Sequence, residues 1–150
     1  MRGDMTASAN SARRPRVEWF DIADDGESAA ISGALGAEIS AKFGPPETAP
    51  VSVRAYDHDR LVGGLNGFVH WRWLYVRHFW IEPDWRGRGL GRDVMNRVES
   101  EARARGCAGL YLDTFDPGAA AFYERCGFRR CGEIENFPPG HVRTFLAKAL

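Results

Sequence analysis

The chain has no excess of charge of either sign and very little lysine. Its 150 residues include 20 Lys plus Arg and 20 Asp plus Glu, so the formal net charge is zero. Lys42 and Lys148 are the only lysines, and the basic residues are otherwise arginines. Proteins that bind nucleic acid need a surplus of positive charge to neutralise phosphates. The composition therefore argues against a nucleic acid partner.

Cysteine is scarce, and its spacing does not suit a metal site. The three cysteines, Cys107, Cys126 and Cys131, form no C-x-x-C pair. An odd number with such spacing argues against both a disulfide framework and a zinc site. The sequence also lacks an apolar run approaching the ~20 residues that a membrane-spanning helix needs. We therefore expect a cytoplasmic protein with no metal and no membrane partner.

Glycine is concentrated in a turn between a predicted strand and a predicted helix. Residues 73–81 (WLYVRHFWI) are rich in β-branched and aromatic side chains, which is typical of a strand. Residues 90–105 carry apolar side chains at helical spacing. Between them lie residues 86–91, with the sequence RGRGLG. Because the first amide N–H groups of a helix are unpaired and carry partial positive charge, this arrangement predicts an anion site.

The spacing of these glycines does not match the common nucleotide-binding loops. A P-loop ends in Gly-Lys-Ser/Thr, whereas Arg92 and Asp93 follow the last glycine here. A dinucleotide fingerprint reads G-x-G-x-x-G, and this run reads G-x-G-x-G. The segment resembles motif A of the GCN5-related N-acetyltransferases, Arg/Gln-x-x-Gly-x-Gly/Ala, with Arg86, Gly89 and Gly91 at the fixed positions. In that family the loop holds the pyrophosphate of acetyl-coenzyme A (acetyl-CoA).

A second motif lies downstream in the order that this family requires. Residues 109–113 predict a strand, and residues 116–128 (DPGAAAFYERCGF) predict a short helix with Asp116 as its N-cap and Gly127 at its end. The segment resembles the family's Asn-x-x-Ala-x-x-Phe-Tyr-x-x-x-Gly-Phe element, with Asp116 in place of the usual Asn. With both motifs present, the chain is identified as a member of the family.

The resemblance implies an α/β (α+β) fold with a mixed, mostly antiparallel sheet of about seven strands flanked by helices. We expect residues 1–16 to form a flexible tail and residues 17–150 to form the N-acetyltransferase domain. Besides the elements above, the pattern predicts a helix at 25–43 and strands at 17–22, 51–56, 61–69, 130–135 and 142–148.

The resemblance also implies a donor site for acetyl-CoA as co-substrate. The pyrophosphate is expected on the amides of the glycine loop. The pantetheine arm is expected to pair, like an added strand, with the end of the predicted strand at residues 73–81. An amide at or near Trp80 would bind the thioester oxygen. The residues implied are Phe79, Trp80, Ile81, Arg86, Gly87, Arg88, Gly89, Leu90, Gly91, Arg92, Asp116, Ala119 and Phe122.

Tyr123 is the expected general acid, because a phenol with an ordinary pKa near 10 stays protonated at neutral pH and can protonate the departing thiolate.

Several side chains are candidates for the base that deprotonates the acceptor amine. Strict alternation along residues 73–81 turns Tyr75 and Arg77 to the acceptor side and His78 towards the helices, where it is expected to pack. The base candidates that the topology places near the cleft are Glu82, Asp113, Glu135 and His141.

The implied activity is direct transfer of an acetyl group from acetyl-CoA to the primary amine of a small molecule, within a ternary complex. In this interpretation Glu135, Phe137 and His141 line the acceptor side, and Arg77 binds an acidic group of the acceptor. Two other interpretations stay open, namely a protein acetyltransferase acting on a lysine or an N-terminus and a non-catalytic acyl-CoA-binding module.

Two exposed aromatic residues have two open interpretations. Homodimers are common among the family's members, and Trp71 and Trp73 can serve such a contact. The same side chains can instead form a wall of the acceptor pocket.

Overall fold

The computed structural model describes residues 14–150. These residues divide into two units, with the boundary between Lys42 and Phe43. Helix α1 (Gly26–Phe43) confirms the helix predicted at 25–43. The prediction of a strand at residues 17–22 is wrong, because this segment has no regular secondary structure. Alternating side chains do not by themselves supply the hydrogen-bonded neighbour that a strand needs. Most of the predicted tail, residues 1–16, lies outside the described residues.

Residues 43–150 form a mixed sheet of six strands in the order β1-β2-β3-β4-β6-β5. Strands β3 and β4 pair in parallel, and every other neighbouring pair is antiparallel. This confirms the predicted fold class, with six strands in the described part of the chain where about seven were expected. The elements are β1 (Ala49–Asp57), β2 (Arg60–His70), β3 (Trp73–Ile81), a 3-10 turn (Pro83–Trp85), α2 (Leu90–Ala104), β4 (Gly109–Thr114), α3 (Pro117–Arg125), β5 (Arg129–Glu135) and β6 (Val142–Ala149).

A single hydrophobic core joins helices α2 and α3 to one face of this sheet. Helix α2 buries an apolar stripe at helical spacing, as its sequence predicts. The other face of the sheet carries half-buried aromatic side chains, including Tyr75 and Tyr111, which are paired across β3 and β4. The buried core residues include Leu65, Leu74, Val76, Val94, Met95, Val98, Leu110, Leu112, Tyr123, Phe128 and Leu146.

A β-bulge at Arg77 changes which side chains of β3 face the core. Asn66 of β2 pairs with His78 and Gly67 pairs with Val76, so Arg77 is the extra residue. One extra residue shifts the two-residue alternation of a strand by one position. Beyond the bulge Phe79 therefore packs against the core, and His78 is exposed. The prediction that His78 packs against the helices is wrong for this reason.

The bulge depends on a glycine in the neighbouring strand. A Cβ at Gly67 would collide with the carbonyl oxygen of Tyr75, and backbone cannot yield as a flexible side chain can. We expect Gly67→Ala to lower the free energy of unfolding by about 1–3 kcal/mol, measured by urea denaturation. Gly132→Ala is the matched control, because a Cβ there meets nothing within 4 Å. Equal effects of the two substitutions would contradict this account.

Candidate active site

Strands β3 and β4 separate after only three residue pairs. Their parallel ladder runs from Trp73–Gly109 to Tyr75–Tyr111, and beyond it β3 continues to Ile81 without β4 as a partner. The gap opens a cleft of about 1110 Å³, which is lined by the ends of both strands, the glycine turn and α3. The free edge of β3 therefore offers main-chain groups to a ligand in the cleft.

The glycine turn and the start of α2 form one side of this cleft. Gly87 and Gly89 have φ angles of 72° and 87°, which glycine adopts at little steric cost. The first amide of α2 with a backbone acceptor is that of Asp93, which donates to the Gly89 carbonyl at 3.0 Å. Within residues 14–150, the amides of residues 87–92 donate to no protein acceptor. The turn is thus a cradle of free N–H groups at a helix N-terminus, which suits a phosphate.

Arginine side chains surround this cradle. Arg86 donates through Nε to the Ile81 carbonyl at 2.8 Å, and Arg92 donates through Nη2 to the Arg125 carbonyl at 3.1 Å. These bonds hold the turn against the ends of β3 and α3. The side chain of Arg125 also lines the cleft, and sequence reasoning missed it because Arg125 occupies a variable position of the second motif. The group forms a positively charged end of the cleft.

Tyr123 lies in an aromatic cluster beside the cleft. The Phe79 and Phe122 rings stack at a centroid distance of 5.5 Å, and the Tyr123 ring meets that of Phe128 edge to face at 5.7 Å. Tyr123 is only 6% exposed, and burial raises its pKa to about 12. Gly91 leaves room for this cluster, since a Cβ there would lie 3.3 Å from the Phe122 ring. The packing holds a protonated phenol at the cleft.

At the opposite end of the cleft, Asp113 and His78 differ in how their side chains are held. Asp113 accepts a hydrogen bond from the Tyr75 hydroxyl at 3.0 Å and pairs with Arg143 at 2.6 Å. Arg143 in turn lies 4.0 Å from the centroid of the Phe137 ring. His78 is exposed, lines the cleft and has no side-chain partner among the described residues. At this end of the cleft, the carboxylate of Asp113 is already paired, and the imidazole of His78 is free.

Comparisons with known proteins agree with this geometry. Residues 10–128 match the model of the acetyltransferase (GNAT) family. The chain belongs to the GNAT acetyltransferase family. It is 40% identical over 95 residues to a blasticidin-S acetyltransferase of Streptomyces morookaense, which covers 63% of this chain and 70% of that protein. It is 36% identical over 129 residues to an acetyltransferase of Agrobacterium fabrum, which covers 85% and 94%.

A solved structure agrees as well. A crystal structure described as that of an acetyltransferase from Agrobacterium tumefaciens matches with a TM-score of 0.81 and 33% identity, covering 91% of this chain and all of that one.

Most of the donor residues expected from the GNAT resemblance line the cleft. Arg88 does not, because its guanidinium lies 5.5 Å over the Trp85 ring. Leu90 does not either, because its side chain packs against the core. Asp116 lines the cleft, but its Oδ1 caps α3 by accepting the Gly118 amide at 2.8 Å. The expected residues that line the cleft are Phe79, Trp80, Ile81, Arg86, Gly87, Gly89, Gly91, Arg92, Asp116, Ala119 and Phe122.

Three of the expected base candidates do not line the cleft of this GNAT protein. The Glu82 side chain contacts β2, because its Oε1 forms a salt bridge with Nη1 of Arg60 at 2.7 Å. Glu135 ends β5, which is the outer strand of the sheet and is separated from β4 by β6. His141 follows β5 in the exposed β5–β6 connection. Of the four candidates only Asp113 lines the cleft.

Neither Trp71 nor Trp73 lines the cleft. Trp71 donates through Nε1 to the Gly44 carbonyl at 3.4 Å, and the Trp73 ring lies where a Cβ of Gly109 would be. No group of three or more His, Cys, Asp or Glu side chains that suits a metal ion occurs within residues 14–150. In the same residues, no helix has the length and apolar character to cross a membrane.

Proposed function

We propose that this GNAT acetyltransferase moves the acetyl group of acetyl-CoA to the primary amine of a small molecule, by direct attack in a ternary complex. The observation that carries the proposal is the cleft between β3 and β4. A cradle of free amides and Tyr123 lie along one part of it, and His78 lies at the other end. A donor carrying phosphates and an acceptor amine can thus meet along the edge of β3.

The donor end fits a pyrophosphate. The free amides of residues 87–92 would donate hydrogen bonds to its oxygens, and Arg86, Arg92 and Arg125 would balance its charge. The open space beside Gly89, where a Cβ meets nothing within 4 Å, leaves room for the anion. The edge of β3 at residues 79–81 would pair with the amides of the pantetheine arm, and one of its N–H groups would polarise the thioester carbonyl.

Tyr123 and His78 would share the proton transfers. Tyr123 would protonate the departing sulfur, since its phenol keeps its proton at neutral pH. His78 would take the proton of the attacking amine. Among the side chains that line the cleft, Asp113 is held by Arg143 and Tyr75, Asp116 caps α3, and arginine does not lose its proton. Imidazole is the side chain that exchanges a proton most readily near neutral pH.

A small-molecule acceptor is supported by similarity to the blasticidin-S acetyltransferase, whose name specifies a small molecule. The test is a panel of amines assayed for thiol release, with acetyl-CoA and succinyl-CoA in parallel, together with calorimetric titration of acetyl-CoA. We expect acetyl-CoA to bind and at least one small amine to be acetylated. Acetylation of peptide lysines or N-termini alone would favour a protein acceptor. Binding without turnover would favour an acyl-CoA-binding module.

The cradle itself can be tested by an isosteric pair of variants. Gly89→Asn and Gly89→Asp share the same strain at a φ of 87°, but only the second adds a negative charge. We expect the Kd for acetyl-CoA of Gly89→Asp to exceed that of Gly89→Asn by about tenfold, because a carboxylate at a helix N-terminus competes with phosphate. The measurement is calorimetry at low salt. Equal Kd values for the two variants would place the pyrophosphate elsewhere.

A further inference from the structure

We infer that the acceptor is an amine that also carries a carboxylate, and that Arg77 binds this carboxylate. This inference rests on the proposed function, because it specifies the acceptor of the same cleft. It excludes polycations, which carry amines without a balancing anion, as preferred acceptors.

Arg77 differs from two of the three other arginines that line the cleft in having no protein partner. Those two, Arg86 and Arg92, donate to backbone carbonyls. Among the described residues, the guanidinium of Arg77 has neither a salt bridge nor a hydrogen bond, although it is exposed and lines the cleft. Arg125 is equally without a side-chain partner, but it lies beside Arg92 at the donor end. Arg77 is therefore the free cation of the acceptor end.

The balance of fixed charge at this end also favours an anionic group on the acceptor. Arg77 and Asp113 both line the cleft, and the charge of Asp113 is already balanced by Arg143, which does not line it. Arg143 uses Nη1 on that carboxylate and stacks on Phe137, so its charge is already engaged. A polycation would meet the remaining charge of Arg77 without compensation. A carboxylate would instead form the two parallel hydrogen bonds that a guanidinium favours.

The bulge brings the two functions of this end next to each other. Arg77 is the inserted residue and His78 is the next, so their Cα atoms are separated by one peptide, about 3.8 Å. Both side chains are exposed and line the same cleft. One small molecule can therefore present its carboxylate to Arg77 and its amine to His78. Arg77 is a specificity residue in this arrangement, since it binds the acceptor away from the reacting atoms.

The experiment compares amines that differ only in a carboxylate. The pairs are tyrosine and tyramine, histidine and histamine, phenylalanine and phenethylamine, and lysine and cadaverine, with spermidine as a polycation. Thiol release from acetyl-CoA gives kcat and KM for each. We expect the carboxylate-bearing member of the best pair to have a kcat/KM at least tenfold higher than its partner. Preference for the decarboxylated members or for spermidine would overturn the inference.

The variants separate acceptor binding from donor binding. We expect Arg77→Ala to raise the KM for the carboxylate-bearing acceptor at least tenfold, with kcat within about twofold, and to abolish the preference within each pair. Arg77→Lys should recover part of the preference, because it restores the charge without the planar fork. Arg125→Ala is the matched control, and it should raise the KM for acetyl-CoA while the preference between acceptors persists. An unchanged preference in Arg77→Ala would overturn the inference.

A binding measurement at equilibrium distinguishes failure of this inference from failure of the proposed function. The same pairs are titrated onto the CoA-loaded protein by calorimetry, which requires no turnover. Tighter binding of the carboxylate-bearing member, lost in Arg77→Ala, would support the inference even if no amine were acetylated, and only the proposed activity would then fail. Equal or weaker binding of that member would overturn the inference, whatever the turnover.

Discussion

Tyr123→Phe should lower kcat by about 100-fold or more while leaving the KM for acetyl-CoA within about twofold, if the phenol protonates the departing thiolate. Phenylalanine keeps the ring contacts with Phe79 and Phe128, so the aromatic cluster and the cleft should persist. The measurement is steady-state thiol release with a fixed acceptor. An unchanged kcat would mean that Tyr123 only packs and that another group supplies the proton.

The pH dependence supplies a second readout of the same residue. An acid catalyst must stay protonated, and burial raises the pKa of Tyr123 to about 12. The kcat of the wild-type enzyme should therefore show no descending limb as pH rises through 10, the ordinary pKa of a phenol. A descending limb near pH 10 that disappears in Tyr123→Phe would contradict the burial of this group.

The raised pKa also has a consequence for stability. The fold favours the neutral phenol, so the contribution of Tyr123 to stability is complete below pH 10 and is lost as pH rises through about 12. Tyr123→Phe should accordingly lose less stability in this alkaline range than the wild type does. The comparison requires urea denaturation of both proteins on either side of pH 10.

His78→Gln is the second substitution with a large expected effect. We expect kcat/KM for the acceptor to fall about 100-fold at neutral pH, because Gln retains hydrogen bonding but cannot accept the amine proton. Calorimetry should give an unchanged Kd for acetyl-CoA, since His78 lies away from the cradle.

His141→Gln is the informative comparison for that result. It makes the same chemical change at His141, one of the four base candidates expected from the sequence, which lies in the β5–β6 connection and does not line the cleft. We expect its kcat/KM to stay within about twofold of wild type, as for most surface substitutions. A large loss in His141→Gln with no loss in His78→Gln would return the role of base to the sequence-based candidates.

Local patterns predicted most of the fold. Strand β3 has the bounds that its aromatic and β-branched residues indicated, and Asp116 caps α3 as its position required. Gly127 has a φ of 92° just after that helix, which is where a left-handed residue belongs. These features depend on residues that are close in sequence, so the local sequence is enough to predict them. The strand expected at residues 17–22 failed because pairing depends on a neighbour that no local pattern specifies.

The glycine turn at the start of α2 was predictable for the same reason, whereas the surroundings of His78 were not. The cradle is a continuous stretch of turn and helix. The position of His78 instead depends on the pairing of β3 with Gly67 and Asn66, which are more than ten residues away in sequence. Strict alternation has no means of anticipating an inserted residue. Glu135 was misplaced for a related reason, since only the strand order reveals that β6 separates β5 from the cleft.

The bulge lets β3 differ in length by one residue without inverting the strand. Loss of the single codon for Arg77 would leave Val76 and His78 paired with Gly67 and Asn66 as consecutive residues of a regular ladder. The later side chains would keep their faces, with Phe79 still against the core and His78 still in water. A relative that lacks this one residue can therefore keep the same architecture while losing the guanidinium beside the imidazole.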